Sequence, residues 1–267
     1  MTIGRQRHCV TPACLRSVFF RRPVFLRDYG DDSQSPDERF SRIQWAAFLR
    51  NLMLFREACW VNDPTATYKA EHKAVQLSLA AEIGFSVPDT RITNSPHPNC
   101  LGNDCDEVAV KGLDTVLLRY GGREMFGFTT FCSRHELEPL VWQSAPATIQ
   151  AALIDKVDIR VTVVEDQVFA ASITTGGKPV SGDWRCNKRD VEFKNIELPS
   201  PTETLCREIV RKLGLRFGGV DLALCDGKYF FLEINPTGEW AWLVDSAGLP
   251  IDEAIADVLA REVHSDV

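Results

Sequence analysis

Between Asp221 and Asn235 the chain reads Asp-Leu-Ala-Leu-Cys-Asp-Gly-Lys-Tyr-Phe-Phe-Leu-Glu-Ile-Asn, two apolar runs split by Asp226-Gly227. An Asp-Gly pair between such runs is a strong local signal for a β-hairpin. Side chains alternate faces along a strand, so the register of this hairpin decides which polar groups meet. A two-residue loop, Asp226-Gly227, sets Asp221 opposite Leu232 and sends Glu233 to the other face. A three-residue loop, Cys225-Asp226-Gly227 with Gly227 left-handed in a bulge, puts Asp221, Glu233 and Asn235 on one face. Only the second arrangement gathers two carboxylates and a carboxamide, the oxygen donors that Mg²⁺ takes beside waters and substrate phosphates. The metal reading therefore requires the longer loop. A surface hairpin with solvated acids is the ordinary alternative.

The chain has 267 residues, enough for one large or two modest domains with an ample core. Its 30 basic and 37 acidic residues leave a net charge of −7, which argues against an extended nucleic-acid surface. A phosphate ligand would then be held by a few local cations. The cysteines (9, 14, 59, 100, 105, 132, 186, 206 and 225) are odd in number and lack Cys-x-x-Cys pairs, so reduced thiols in a cytoplasm are the simplest account. No apolar run approaches the ~20 residues of a membrane span. The first 27 residues carry six arginines and no acid, a transit-peptide composition, but Val18-Phe19-Phe20 before Arg-Arg-Pro reads better as a short strand entering a loop.

Mixed strand and helix patterns indicate an α+β or α/β protein. A helix is expected from Glu38 to about Glu57, and another from Ala66 to Ile83, capped by Asp63, opened by Pro64 and stopped by Gly84. Residues 87–93 and 107–111 read as strands. A further strand, Phe126 to Phe131, follows a Gly121-Gly122 turn. Asp158 to Ile173 reads as a hairpin broken at residues 165–167, with Asp158, Arg160 and Thr162 on one face and Ile159, Val161 and Val163 on the other. Thr202 to Leu213 is a helix closed by Gly214. The stripe of Ile251, Ala254, Ile255, Val258 and Leu259 packs a last helix on the sheet.

Lys73, Lys111, Arg160 and Arg185 supply cations for a polyphosphate without a Walker loop. Each has a plain alternative: a solvated lysine, a cross-strand pair of Arg160 with Asp158, an exposed strand at Asp183–Asn187. Together with three oxygen donors they suit phosphoryl transfer on a nucleotide gripped between two sheets.

Several segments, in order, resemble an ATP-grasp ligase: Ala70-Glu-His-Lys-Ala-Val-Gln-Leu77, Val110-Lys111, Asp158-Ile-Arg-Val-Thr-Val-Val164 and Leu232-Glu-Ile-Asn-Pro-Thr-Gly-Glu-Trp240. Within that superfamily Trp60-Val-Asn62, Asp183-Trp-Arg185 and the Asn-Pro-Thr-Gly-Glu-Trp ending are similar to the ribosomal-peptide maturases of the microviridin or graspetide type. The resemblance implies an α+β ATP-grasp fold: an abbreviated N-terminal region over 1–88, a lid subdomain over 89–149 and a core with the Mg²⁺ site over 150–267. It implies Lys73 and Lys111 on the phosphates and adenine along Gln150, Ala151 and Leu153. Ribose would lie near Asp158, and Arg160, Arg185 and Asn187 around the transferred group. Asp221, Glu233 and Asn235 would hold Mg²⁺, as two ions.

The activity implied is phosphorylation of Asp or Glu carboxylates of a ribosomal precursor peptide, leader plus core, followed by ring closure with Ser, Thr or Lys. No membrane or nucleic-acid partner is implied, and a homodimer is left open. The chain departs from the family pattern in its short N-terminal region, in lacking a glycine-rich phosphate lid after Lys111, and in Ala151-Ala152 where an acidic hinge residue often stands. The competing readings are an intermolecular ligase adding an amino acid or amine to a carboxylate, and a noncatalytic peptide-binding partner.

Overall fold

The computed structural model describes residues 2–21 and 35–261, except 4, 8, 13, 98, 103–105, 115–116, 121–122, 138–144 and 188. A small ladder, β1 (Thr2–Ile3) on β2 (Gln6–Arg7), precedes β3 (Ser17–Phe19), which pairs in parallel with β4 (Cys59–Val61). The strand expected around Val18 is therefore present. Between them α1 spans Pro36–Asn51. It starts before the expected Glu38 because Ser35 and Glu38 form a capping box, and it ends early in a 3₁₀ turn, Leu52–Leu54.

The helix expected over Ala66–Ile83 is two helices, α2 (Pro64–Ala70) and α3 (Lys73–Glu82). Asp63 caps the first, as its sequence indicates. The break at residues 71–72 is stabilised by Gln76, whose Nε2 donates to Ala70 O at 2.6 Å. That bond satisfies a carbonyl at the end of α2 which helix continuation would otherwise have used. Lys73 thus opens a new helix instead of lying inside one.

Two antiparallel sheets follow. The first has the order β5 (Thr90–Thr93), β10 (Ala147–Ala151), β6 (Glu107–Lys111), β9 (Thr130–Ser133). Its core is Leu101, Val108, Val110, Leu137, Ala147 and Ile149. The strand expected from Val87 begins only at Thr90, because Ser86 bridges to Phe230 of the other sheet. The strand expected over Phe126–Phe131 is also divided. Its start belongs to β8 (Arg123–Phe126), paired with β7 (Leu117–Tyr120), and its end to β9. The Gly121-Gly122 turn lies outside the described residues.

The larger sheet runs β13 (Lys178–Pro179), β12 (Gln167–Thr175), β11 (Val157–Val164), β15 (Phe217–Cys225), β16 (Lys228–Asn235), with β14 (Glu192–Ile196) also on β12. Ile159, Val161 and Val163 of β11 pack with Leu77 of α3 and Cys206, Ile209 and Val210 of α4 (Ser200–Lys212). The opposite face is shared. Val164, Ala171 and Phe217 are covered by Leu243 of α5 (Ala241–Ala247) and Ile251, Ala254, Ile255 and Val258 of α6 (Ile251–Ala260). Farther along, Asp158 and Arg160 on that same face line a cleft under the four-stranded sheet. The alternation read from Asp158 to Val163 holds. Residues 184–187 form a 3₁₀ turn, not the exposed strand that was the plain alternative.

Candidate active site

The hairpin carrying Asp221 and Glu233 turns on two residues, with Cys225 paired to Lys228. Asp226 and Gly227 have φ of 50° and 74°, the signs of a type I′ turn. The expected three-residue loop is therefore absent, and by the two-residue count Glu233 should face away. It does not, because the register shifts farther along: Leu222 pairs with Phe231, whereas Asp221 pairs with Glu233. Leu232 is the extra residue of a bulge, and one added residue reverses the faces of everything beyond it. Asn235 then follows on the same face, opposite Gly219. On the other flank Arg160 is the partner of Asp221 across β11 and β15. Arg160, Asp221 and Glu233 thus form a row over three adjacent strands.

Contacts knit this row together. Arg160 Nη1 donates to both Asp221 oxygens at 2.8 and 3.0 Å. Asn235 Nδ2 bridges Asp221 Oδ2 at 3.1 Å and Glu233 Oε1 at 3.2 Å. Lys73 Nζ, presented by the first residue of α3, reaches Glu233 Oε2 at 2.8 Å. Burial pushes the Asp221 carboxyl above its ordinary value, with Arg160 opposing the rise and Glu233 adding to it. Burial acts on Glu233 in the same sense, yet the Lys73 ammonium and its hydrogen bond carry it well below the usual carboxylate range.

These donors fit Mg²⁺. Among the described residues no cluster of three or more His, Cys, Asp or Glu could hold a metal. Two carboxylates beside a carboxamide match an ion that keeps several waters and draws its remaining ligands from phosphates. Arg160 Nε is buried and has no hydrogen-bond partner.

Across the cleft, of about 450 Å³, stand Lys111, Gln150, Ala151 and Leu153. Gln150 is a pivot: its Oε1 accepts from Lys111 Nζ at 2.8 Å and its Nε2 donates to Thr90 Oγ1 at 2.9 Å. Burial, with help from Lys73, lowers the Lys111 ammonium to about 8. Asp158 also lines the cleft and is paired with Lys156; burial raises its carboxyl despite that cation. Arg185 is gripped by Asp183, its Nε at 2.9 Å from Oδ1 and its Nη2 at 2.7 Å from Oδ2, and this bonding raises its pKa. Asn187 ends the same 3₁₀ turn; its side chain lies outside those described.

The cleft therefore brings together Lys73, Lys111, Gln150, Ala151, Leu153, Asp158, Arg160, Arg185, Asp221, Glu233 and Asn235. Sequence reasoning gave no role to Lys156, Asp183, Gln76 or Asn62. Asp183 orients Arg185. Gln76 binds both backbone groups of Ile234, at 3.1 and 2.8 Å, between Glu233 and Asn235. In the sequence Asn62 stands out only as part of the Trp60-Val-Asn62 resemblance. Its burial and its contacts to the backbone of residues 216, 217 and 236 come from tertiary structure alone.

Residues 147–259 match the RimK-like ATP-grasp domain. A tetrahydromethanopterin:alpha-L-glutamate ligase of Methanocaldococcus jannaschii is 29% identical over 109 residues, 40% of this chain and 36% of that protein, so the match spans about a third of that relative's length. The macrocyclase MdnB of Microcystis aeruginosa superposes with a TM-score of 0.73 at 27% identity, covering 97% of this chain and 81% of that one. A ligase of Chryseobacterium gregarium associated with ribosomally synthesised peptides, solved with ADP and a leader and core peptide, gives 0.77 at 24% identity over 94% and 79%. With two sheets facing across a cation-lined cleft and these likenesses, the chain has the ATP-grasp fold and carries a RimK-like ATP-grasp domain over residues 147–259.

Proposed function

We propose that this chain is an ATP-dependent, ADP-forming ligase acting on a ribosomally made precursor peptide. It activates Asp or Glu side chains as acyl phosphates and closes macrocyclic esters or amides with Ser, Thr or Lys side chains. The observation that carries the reading is the in-register row of Arg160, Asp221 and Glu233, which sets a cation for a transferred group beside oxygen donors for a metal. The likeness to a macrocyclase and to a peptide-bound ligase supports the substrate class.

In this reading Lys73 and Lys111 hold the phosphates, and Gln150, Ala151 and Leu153 edge the adenine. Asp158 lies by the ribose, Arg160, Arg185 and Asn187 surround the transferred phosphoryl group, and the four-stranded sheet is the lid. Asp221, Glu233 and Asn235 would hold Mg²⁺, as two ions, which would neutralise charge on the phosphate oxygens. Arg160 is already held by Asp221, so its guanidinium charge faces developing charge with little reorganisation. A peptide carboxylate oxygen attacks the terminal phosphorus and ADP departs. A side-chain hydroxyl or amine of the same peptide then attacks the acyl carbon and loses its proton, and phosphate leaves with the original carboxylate oxygen and takes up that proton. Tethering both groups in one peptide makes that second step effectively unimolecular, worth ~7–11 kcal/mol in a near-attack geometry.

The glutamate-ligase name of one relative favours a second reading, addition of a free amino acid to a carboxylate. Mass spectrometry of a Thr/Ser- and Asp/Glu-rich precursor incubated with ATP and Mg²⁺ separates them. Loss of one water per ring supports ring closure, and a gain of one amino-acid residue supports the intermolecular ligase. A folded protein that turns over no ATP with any peptide returns the noncatalytic reading.

A further inference from the structure

The loop after β16, Pro236 to Glu239, lies against Arg160. Arg160 Nη2 donates to the Glu239 carbonyl at 3.2 Å, and a Cβ on Gly238 would sit 2.6 Å from that nitrogen. On the opposite side a Cβ on Gly219 would sit 2.8 Å from it. The guanidinium, held by Asp221 at Nη1, is thus also sandwiched between strand and loop at Nη2.

That loop is held from the other end of the chain. Asn62, 1% exposed, donates from Nδ2 to Pro236 O and Phe217 O, both at 2.8 Å, while its Oδ1 accepts from Arg216 N at 2.7 Å and Phe217 N at 2.9 Å. Arg21 Nη2 meets Glu239 Oε1 at 2.7 Å, with its guanidinium 5.6 Å from the Phe19 ring centroid. Arg21 follows β3 and Asn62 follows β4, and the two strands pair in parallel, with Phe20 N bonded to Val61 O at 2.7 Å. One strand pair therefore carries both anchors of the loop.

We propose that Arg21 and Asn62 are positioning residues for Arg160, acting through the loop Pro236–Glu239, so that the N-terminal strand pair sets the orientation of the cation at the transferred group. The role of Arg160 in this statement rests on the proposed function; the clamp itself does not. An ion pair as exposed as Arg21 with Glu239 contributes little to stability. A merely structural part for it predicts no change at Arg160.

Arginine side-chain NMR of the full chain provides the test. The Arg160 Nη protons, assigned by their loss in Arg160→Lys, should show hindered rotation as separate signals. Arg21→Ala and Glu239→Gln should each collapse those signals, the pair combined should do no more than either alone, and Arg21→Lys should restore them. The thermal midpoint should stay in place throughout. Separate signals that persist in Arg21→Ala, or signals already averaged in the wild type, overturn the proposal, as does a collapse that merely follows a falling midpoint. Titration with ADP and Mg²⁺ runs beside it: no binding would count against the nucleotide reading while leaving the Arg160 signals to decide the clamp.

Discussion

Asp221 and Glu233 stand directly opposite each other on neighbouring strands, although the turn between them has the wrong length to put them there. The bulge at Leu232 makes up the difference. It lies beside the site, where an extra residue re-aims side chains and increases local twist. The turn is then free to adopt the two-residue form that Asp226-Gly227 favours.

Substituting Glu233→Gln preserves volume and removes a charge from the donor set. ATP turnover should fall by about 10²–10³-fold, with the far-ultraviolet circular dichroism unchanged. Turnover within a few-fold of wild type would remove Glu233 from the metal site.

Arg160→Ala should lower kcat by about 10²-fold while changing the KM for ATP far less, since a cation at the transferred group matters most as charge develops. Steady-state kinetics decides this. A rise in KM with kcat intact would make Arg160 a ground-state phosphate contact instead.

Lys111 gives the binding a pH signature. Its ammonium titrates at about 8, and phosphate favours the charged form. Affinity for ATP with Mg²⁺ should therefore be level below that pH and weaken above it, by at most about tenfold per pH unit for one proton. Lys111→Arg stays charged throughout, so its calorimetric affinity should be flat from pH 7 to 10.

Two adjacent glycines on β15 should behave in different ways. A Cβ on Gly218 would lie 2.9 Å from Ile234 Cδ1 and 3.2 Å from Val210 Cγ2, inside the core. Gly218→Ala should cost about 1–3 kcal/mol in denaturant unfolding. At Gly219 the Cβ meets the Arg160 guanidinium, which Asp221 and the Glu239 carbonyl hold in place. Gly219→Ala should displace that group and reduce turnover by about tenfold or more, because small misplacements of a positioned group are costly.

The sequence determined a good deal by itself. Asp63 and Pro64 start α2, Gly84 with φ of 103° follows α3, and the alternation along β11 sorts Asp158 and Arg160 from Ile159 and Val161. Those are short-range matters of capping, backbone freedom and strand period, legible in a few neighbouring residues. Tertiary structure decided the rest. The break between α2 and α3 depends on Gln76 reaching back to Ala70 and across to Ile234, and the strand from Val87 is interrupted by a bridge from Ser86 to Phe230. The bulge at Leu232 satisfies demands that lie far away: Asp221 must pair with Arg160 of another strand, and Glu233 with Lys73 of a distant helix. Local sequence specifies a turn and a period, but a single added residue reverses every face beyond it, and only the partners across the sheet can choose where that residue goes.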